Sequence, residues 1–352
     1  MVDLHHHIPS DVLNRLTPRN FGFSDAAEMF IFLSGLTCGE VYGRLAKEDG
    51  LLTASAHALR RTWQIYVATV FLFAVYAAEV ILLASDRNGL LDAANIAIFL
   101  REPGNALLQV LTLRYSPVNM DALPLIIILH LVLPAILLGL TTRPLWTLTA
   151  SLLLYLLSHV FSWSISAYPR GSIYFNPLDW QLLFVIGVWC GFDSLKSIRS
   201  LLSSRSLTIA SFLYIVLSGV IVIGWQVPTL QVPLPDAVIK IIYPVDKSDL
   251  DALRLLHFLA LAVVGWRFIP SNLTVLRSHA LLPIIRCGEY SLVLFCLGVL
   301  LAFAGEFVLT DVSGGLLAQC LVGVAGIALM IGVATLLSKV DRRSHDRHPR
   351  TI

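Results

Sequence analysis

The stretch Asn20-Phe-Gly-Phe-Ser-Asp25-Ala-Ala-Glu28-Met-Phe-Ile-Phe-Leu-Ser-Gly35 opens an apolar segment that continues to about Tyr42. Such a segment is long enough to cross roughly 30 Å of hydrocarbon as a helix, yet it carries two carboxylates near its start. Ser24 is the expected N-cap, and acidic residues suit the positive end of a helix dipole. The i, i+3 spacing sets Asp25 and Glu28 on one helix face, with Phe32 one turn further along. Carboxylates this close to a bilayer are costly unless they meet a partner, a water-filled cavity or a substrate. The residues themselves leave two readings open, a working acidic pair or two solvated groups at a helix mouth.

The rest of the chain repeats the apolar pattern. Of 352 residues, 57% are hydrophobic and only 14% charged, and the mean hydropathy is +0.77, which excludes an ordinary soluble domain. A net charge of +2 is no nucleic-acid signature. Cys38, Cys190, Cys287, Cys296 and Cys320 fall in apolar runs at irregular spacing. They read as buried thiols, with neither a disulfide framework nor a metal site. The first twenty residues are polar, so no cleavable signal peptide is expected.

Taken in order, a polar lead over 1–23 is followed by spans expected at about 24–44, 60–84, 121–140, 145–165, 178–193, 207–226, 252–269, 287–308 and 314–338. The fold class is therefore all-α, a polytopic transmembrane helix bundle of about nine spans forming a single integral-membrane domain over 1–352. Residues 93–100 and 106–113 are apolar but too short to cross. Gly35, Gly39 and Gly43 recur every fourth residue and form a small-residue stripe for a neighbouring helix. With the 339–352 tail placed in the cytoplasm, inner loops hold 16 of the 25 Lys and Arg residues, leaving 9 outside, as the positive-inside rule expects. The 1–23 lead and the proline-rich loop before Asp251 then face the periplasm.

Four further stretches belong beside the opening one: Tyr115-Ser-Pro-Val-Asn-Met-Asp121 leading to Leu123-Pro124, Tyr174-Phe-Asn-Pro-Leu-Asp-Trp-Gln181, Asp246-Lys247, and Arg254-Leu-Leu-His-Phe-Leu-Ala260. Together, and in this order, they resemble the OpgC family, bacterial membrane acyltransferases that succinylate osmoregulated periplasmic glucans. Phe30-Ile-Phe-Leu-Ser-Gly35 is also loosely similar to a run in the wider integral-membrane acyltransferase family. The resemblance implies an O-acyltransferase of the bacterial inner membrane. It implies a succinyl-like group moved from a cytoplasmic acyl-CoA (succinyl-CoA as co-substrate, no tightly bound cofactor) to a periplasmic glucan. Expected partners are thus the lipid bilayer, the glucan and the acyl donor, with no nucleic acid and the oligomeric state left open. A membrane carbohydrate transporter or flippase, or a truncated inactive relative, is the alternative.

Family members begin with a full helix ending in an Asp-His-Ile-Pro-like sequence, to which His6-His7-Ile8-Pro9 corresponds. His7 matches the family histidine, while His6 stands where an aspartate is usual. The expectation is a missing upstream helix, making ten spans, and a glycine stripe left facing lipid without it.

Acyl transfer to a hydroxyl needs a base and donors for the developing oxyanion. His7 is the expected base, with Asp25 or Glu28 as the group that stabilises its imidazolium. Arg254 and His257 share a face, and Arg254 suits a succinyl carboxylate or an oxyanion; an Asp251–Arg254 structural pair is the plainer alternative. Asn176, Trp180 and Gln181 are expected to hold sugar, and Trp180 alone also reads as an interfacial belt residue. Arg44, Arg60 and Arg61 mark where acyl-CoA phosphates would approach, or simply obey the charge rule. His130 and His159 read as packed core residues. Three consecutive histidines without further donors at helix spacing do not suggest a metal centre.

Overall fold

The computed structural model describes residues 22–84, 88–194, 202–226, 245–268, 278, 281–311 and 314–347. These residues form helices and connecting loops, with no strand among them; one isolated bridge joins Ser166 and Ser172. The helices are α1 (Ala26–Glu48), α2 (Leu51–Ala84), α3 (Asn88–Ala93), α4 (Ala97–Arg101), α5 (Pro103–Leu111), α6 (Ala122–Thr142), α7 (Pro144–Phe161) and α8 (Pro177–Trp189). They continue as α9 (Arg205–Gln226), α10 (Ala252–Phe268), α11 (Leu282–Glu289), α12 (Ser291–Asp311) and α13 (Leu316–Arg347). A π-helical turn, Cys190–Ser194, prolongs α8.

Six of these helices are long and apolar enough to cross a membrane, namely Leu51–Leu83, Ala122–Thr142, Pro144–Phe161, Arg205–Gly224, Ser291–Thr310 and Leu316–Asp341. The expected count of about nine is not reached among the described residues. The remaining three expected spans are present as helices but fall short. In α1, Glu28, Glu40 and the glycines dilute the apolar run, while α8 and α10 have only 13 and 17 residues. The short pieces near 93–113 fold as α3, α4 and α5, none of which is long enough to cross.

Outward faces are apolar, as a lipid-facing surface requires. Leu317, Leu321, Val324 and Ile327 of α13 are all more than half exposed, an arrangement that water would penalise. The cysteines divide accordingly: Cys38 and Cys190 are buried, Cys287 and Cys296 intermediate. Cys320 is exposed, contrary to expectation, because it lies on the outward face of α13.

The centre of the bundle is the parallel pair α1 and α8. A Cβ on Gly35 would stand 2.3 Å from the Phe184 carbonyl oxygen, and one on Gly39 2.1 Å from that of Val188. The fit is reciprocal, since Gly187 and Gly191 admit the Phe32 and Leu36 carbonyl oxygens at 2.4 and 2.1 Å from their would-be Cβ positions. Small residues on both helices let the backbones touch, which is how helices associate where water supplies no hydrophobic force between them. This corrects the expectation of an uncovered stripe: Gly35, Gly39 and Gly43 are covered by α8 and its π turn.

Gly39→Leu is therefore expected to destabilise by about 3 kcal/mol or more, at or beyond the top of the usual overpacking range, because a carbonyl cannot move aside. Gly326→Ala, with nothing within 4 Å of its would-be Cβ, should be neutral or slightly stabilising. Thermal unfolding of the two variants in detergent gives the comparison. Equal melting behaviour would show that the α1–α8 contact is looser than described.

Candidate functional site

The site grows from the start of α1. Asp25, not Ser24, is the N-cap: its Oδ1 accepts from the Ala27 N–H at 2.8 Å. Glu28 Oε2 accepts from the Asp25 N–H at 2.8 Å. This is a capping box, and the Asp-x-x-Glu spacing is the reason it forms. One oxygen of each carboxylate is thereby fixed by backbone, which leaves Asp25 Oδ2 and Glu28 Oε1 for more distant partners.

Those partners come from the other end of the sequence. Arg254 Nε donates to Glu28 Oε1 at 2.7 Å, and Nη2 lies 2.6 Å from the same oxygen and 3.3 Å from Asp25 Oδ2. Lys247 Nζ donates to Asp25 Oδ2 at 2.7 Å. Glu28 is fully buried and Arg254 nearly so. Two cations and two carboxylates neutralise one another, the condition under which charges persist in a low-dielectric interior. The Asp251–Arg254 pair is not what forms; Asp251 Oδ1 instead accepts from the Leu253 N–H at 2.8 Å at the start of α10.

His257 lies one turn beyond Arg254. Its Nδ1 accepts from the Ser24 N–H at 3.2 Å and lies 2.6 Å from Ser24 Oγ. An amide N–H only donates, so in this geometry Nδ1 is the acceptor and the neutral ring carries its hydrogen on Nε2. Gly22 passes directly over that edge, where a Cβ would stand 2.4 Å from Nε2. Ser24 and His257 thus clasp the lead into α1 onto α10.

The sugar-holding trio is placed differently from expectation. Trp180 is fully buried, and its Nε1–H donates to the Lys247 and Ser248 carbonyls at 3.2 and 3.1 Å. It presents no face for stacking and does not sit in an interfacial belt. Gln181 is tied to α7, where its Oε1 accepts from Ser151 Oγ at 2.6 Å and its Nε2 donates to the Ser151 carbonyl at 2.8 Å. Asn176 caps α8 through Leu178 N–H at 3.3 Å and is also buried. These three hold the 246–251 loop and α7 in place rather than displaying polar groups outward.

Arg44, Arg60 and Arg61 lie away from this cluster, towards the opposite end of α1 and the start of α2. Arg44 pairs with Glu40 at 3.5 Å, with both side chains about two-thirds exposed. Arg61 donates to Gln64 at 3.4 Å. His130 is buried as expected, bonded to the Ile126 carbonyl at 2.9 Å and 3.3 Å from Cys38 Sγ. His159 is not a core residue: its side chain is one-third exposed and paired with Asp179 at 3.0 Å. Asp249 lies near this pair; its side chain is exposed, and partial desolvation, then the neighbouring Asp179 and Asp246 charges, raise its carboxyl above the ordinary range. His7 lies outside the described residues.

An apolar cavity of about 490 Å³ borders α1 and α6, lined by residues such as Met29, Phe30, Leu125 and Phe295. It offers almost no polar surface, in contrast to the ionic cluster at the start of the same helix. Sequence reasoning missed Lys247 as a partner of Asp25, although Asp246-Lys247 was among the motif stretches; nothing in the spacing links a loop lysine to a helix more than two hundred residues earlier.

An all-helical bundle with six helices long and apolar enough to cross a membrane among the described residues marks a membrane protein, and a neutralised ionic cluster is buried at one end of its central helices. The chain belongs to the OpgC family: the family model described as OpgC protein matches residues 2–342, and the family's role is the modification of osmoregulated periplasmic glucans. No curated protein and no solved structure matches the chain.

Proposed function

We propose that the chain is an inner-membrane O-acyltransferase that moves a succinyl-like group from a cytoplasmic acyl-CoA to hydroxyls of a periplasmic glucan. The observation that best supports this is the burial of Arg254 between Glu28 and Asp25, backed by Lys247. A buried ionic cluster in a membrane bundle is expensive and marks a working site by default. Its carboxylates fix the guanidinium plane, so the arginine is oriented before substrate arrives, as electrostatic stabilisation of an oxyanion or a carboxylate requires.

In this reading His7 removes the hydroxyl proton as the acyl carbonyl is attacked, and Asp25 or Glu28 stabilises the resulting imidazolium. Arg254 binds the negative charge on the acyl carbonyl or on the succinyl carboxylate. The thioester C–S bond breaks as the ester C–O bond forms, and the proton leaves with the thiol. Arg44, Arg60 and Arg61, placed away from the cluster, receive the phosphates of the donor.

The test is the purified protein in lipid vesicles, supplied with succinyl-CoA and a neutral glucan, with anionic glucan as the product. Arg254→Lys keeps the charge but loses the planar fork, so it is expected to lower transfer by about tenfold or more, the equivalent of one charge-assisted hydrogen bond. Wild-type transfer by this variant would show that only charge matters at the position. Transport of glucan without acylation would favour a carrier instead.

A further inference from the structure

Away from the Arg254 cluster, geometry fixes the Nδ1 hydrogen of a second histidine. His159 Nδ1 lies 3.0 Å from the Tyr155 carbonyl oxygen and 3.0 Å from Asp179 Oδ1. A carbonyl oxygen only accepts, so Nδ1 carries a hydrogen and the neutral ring keeps a bare lone pair on Nε2. Among the described residues, Nε2 has no hydrogen-bond partner, and the side chain is one-third exposed.

The ring is held from behind. Asp179 is buried, in the first turn of α8, where the helix N-terminus favours a carboxylate. Its Oδ1 also accepts from the Ser158 hydroxyl, and its Oδ2 accepts from Asn176 Nδ2 at 2.5 Å. That same Asn176 nitrogen reaches Oδ1 of the exposed Asp249 at 3.4 Å. A buried carboxylate that fixes one nitrogen of a histidine and presents the other outward is the arrangement that readies imidazole to meet a hydroxyl.

The place in the bundle matters as much as the pair. Residues 246–251 run between the two clusters, with Lys247 bonded to Asp25 and the Ser248 carbonyl accepting from the Asn176 N–H at 2.9 Å. Both clusters therefore lie at one end of the molecule. His159 is one-third exposed and Asp249 is exposed, and the Asn176 amide links the carboxylate behind the one to the carboxylate of the other, so the two offer acceptors on one stretch of surface. A ligand offering adjacent O–H groups complements them. No group of three or more metal-binding side chains occurs among the described residues, so hydroxyls fit this pair better than a cation does.

We propose that His159 and Asp249, positioned by Asp179 and Asn176, form the subsite that binds the hydroxyl groups of the acceptor sugar. One sugar hydroxyl donates to His159 Nε2 and its neighbour donates to Asp249. This rests on the glucan-acylation reading and names the acceptor side of it. Asp179 is a positioning residue, since it touches the imidazole and not the sugar.

The experiment is initial-rate kinetics of the full chain in lipid vesicles, with glucan and succinyl-CoA varied separately. His159→Phe keeps a ring without the nitrogens, and Asp249→Ala removes an exposed carboxylate; each is expected to raise KM for glucan about tenfold, the worth of one hydrogen bond, with KM for succinyl-CoA unchanged. An unchanged glucan KM in Asp249→Ala, a raised donor KM, or a loss confined to kcat would overturn the subsite. Because Asp249 is exposed, its variant keeps the test alive if His159→Phe does not fold. Should the wild-type protein transfer no acyl group, the acylation reading fails by itself. Equilibrium binding of a neutral β-glucan oligosaccharide to the same variants then decides the subsite: weaker binding than wild type supports it, and equal or absent binding overturns it.

Discussion

Glu28→Ala is expected to cost about 3 kcal/mol of stability, near the lower end for breaking a buried ion pair. The reason is asymmetry: among the described residues, the substitution leaves the buried Arg254 guanidinium with Asp25 alone, at 3.3 Å, to balance it. The loss of the reciprocal arm of the capping box adds a smaller amount. Glu28→Gln should cost less, because an amide still accepts from the Asp25 N–H, although it removes the charge. The double variant Glu28→Leu with Arg254→Leu should recover much of the loss, since removing both charges leaves neither one unpaired. Unfolding in detergent for the singles and the double gives the coupling energy directly. A Glu28→Ala protein as stable as wild type would mean that the pair contributes nothing and that Arg254 is hydrated in solution.

His7→Ala is expected to lower glucan acylation by about 10²–10⁴-fold, the usual worth of a general base, with protein level unaltered. His5→Ala, two positions away, should be nearly silent. Each succinyl adds one carboxylate to the glucan, so the negative charge on purified periplasmic glucans reports the reaction. Wild-type anionic glucan from His7→Ala would remove the base assignment. Read beside the His159 kinetics, the result also separates two effects: loss of a base lowers kcat, whereas loss of an acceptor subsite raises KM for glucan.

The sequence alone determined the class and much of the local structure. Long apolar runs in lipid must satisfy their backbone internally, as helices do, and each of the nine expected spans contains a helix, although the boundaries differ. The glycine spacing on α1 announced a close helix contact, and Asp25 with Glu28 announced a helix start. Spacing of i, i+3 placed Arg254 and His257 on one face. These are short-range signals, governed by rotation per residue and by hydrogen bonds that close within one turn.

What lay beyond reach was the identity of partners. The helix packed on Gly35 and Gly39 is α8, a short segment that hydropathy alone would not have selected as the centre of the bundle. Arg254 pairs with Glu28, 226 residues away, and not with Asp251 three positions before it. Ser24 left its expected capping role because His257 lies 2.6 Å from its hydroxyl. Trp180 turned inward because the 246–251 loop offers its indole N–H two carbonyls. His159 became a candidate only when α8 brought Asp179 to its Nδ1. In each case a polar group excluded from water takes whichever partner the packing of distant helices delivers. That delivery depends on interhelix contacts, which no local pattern of residues encodes.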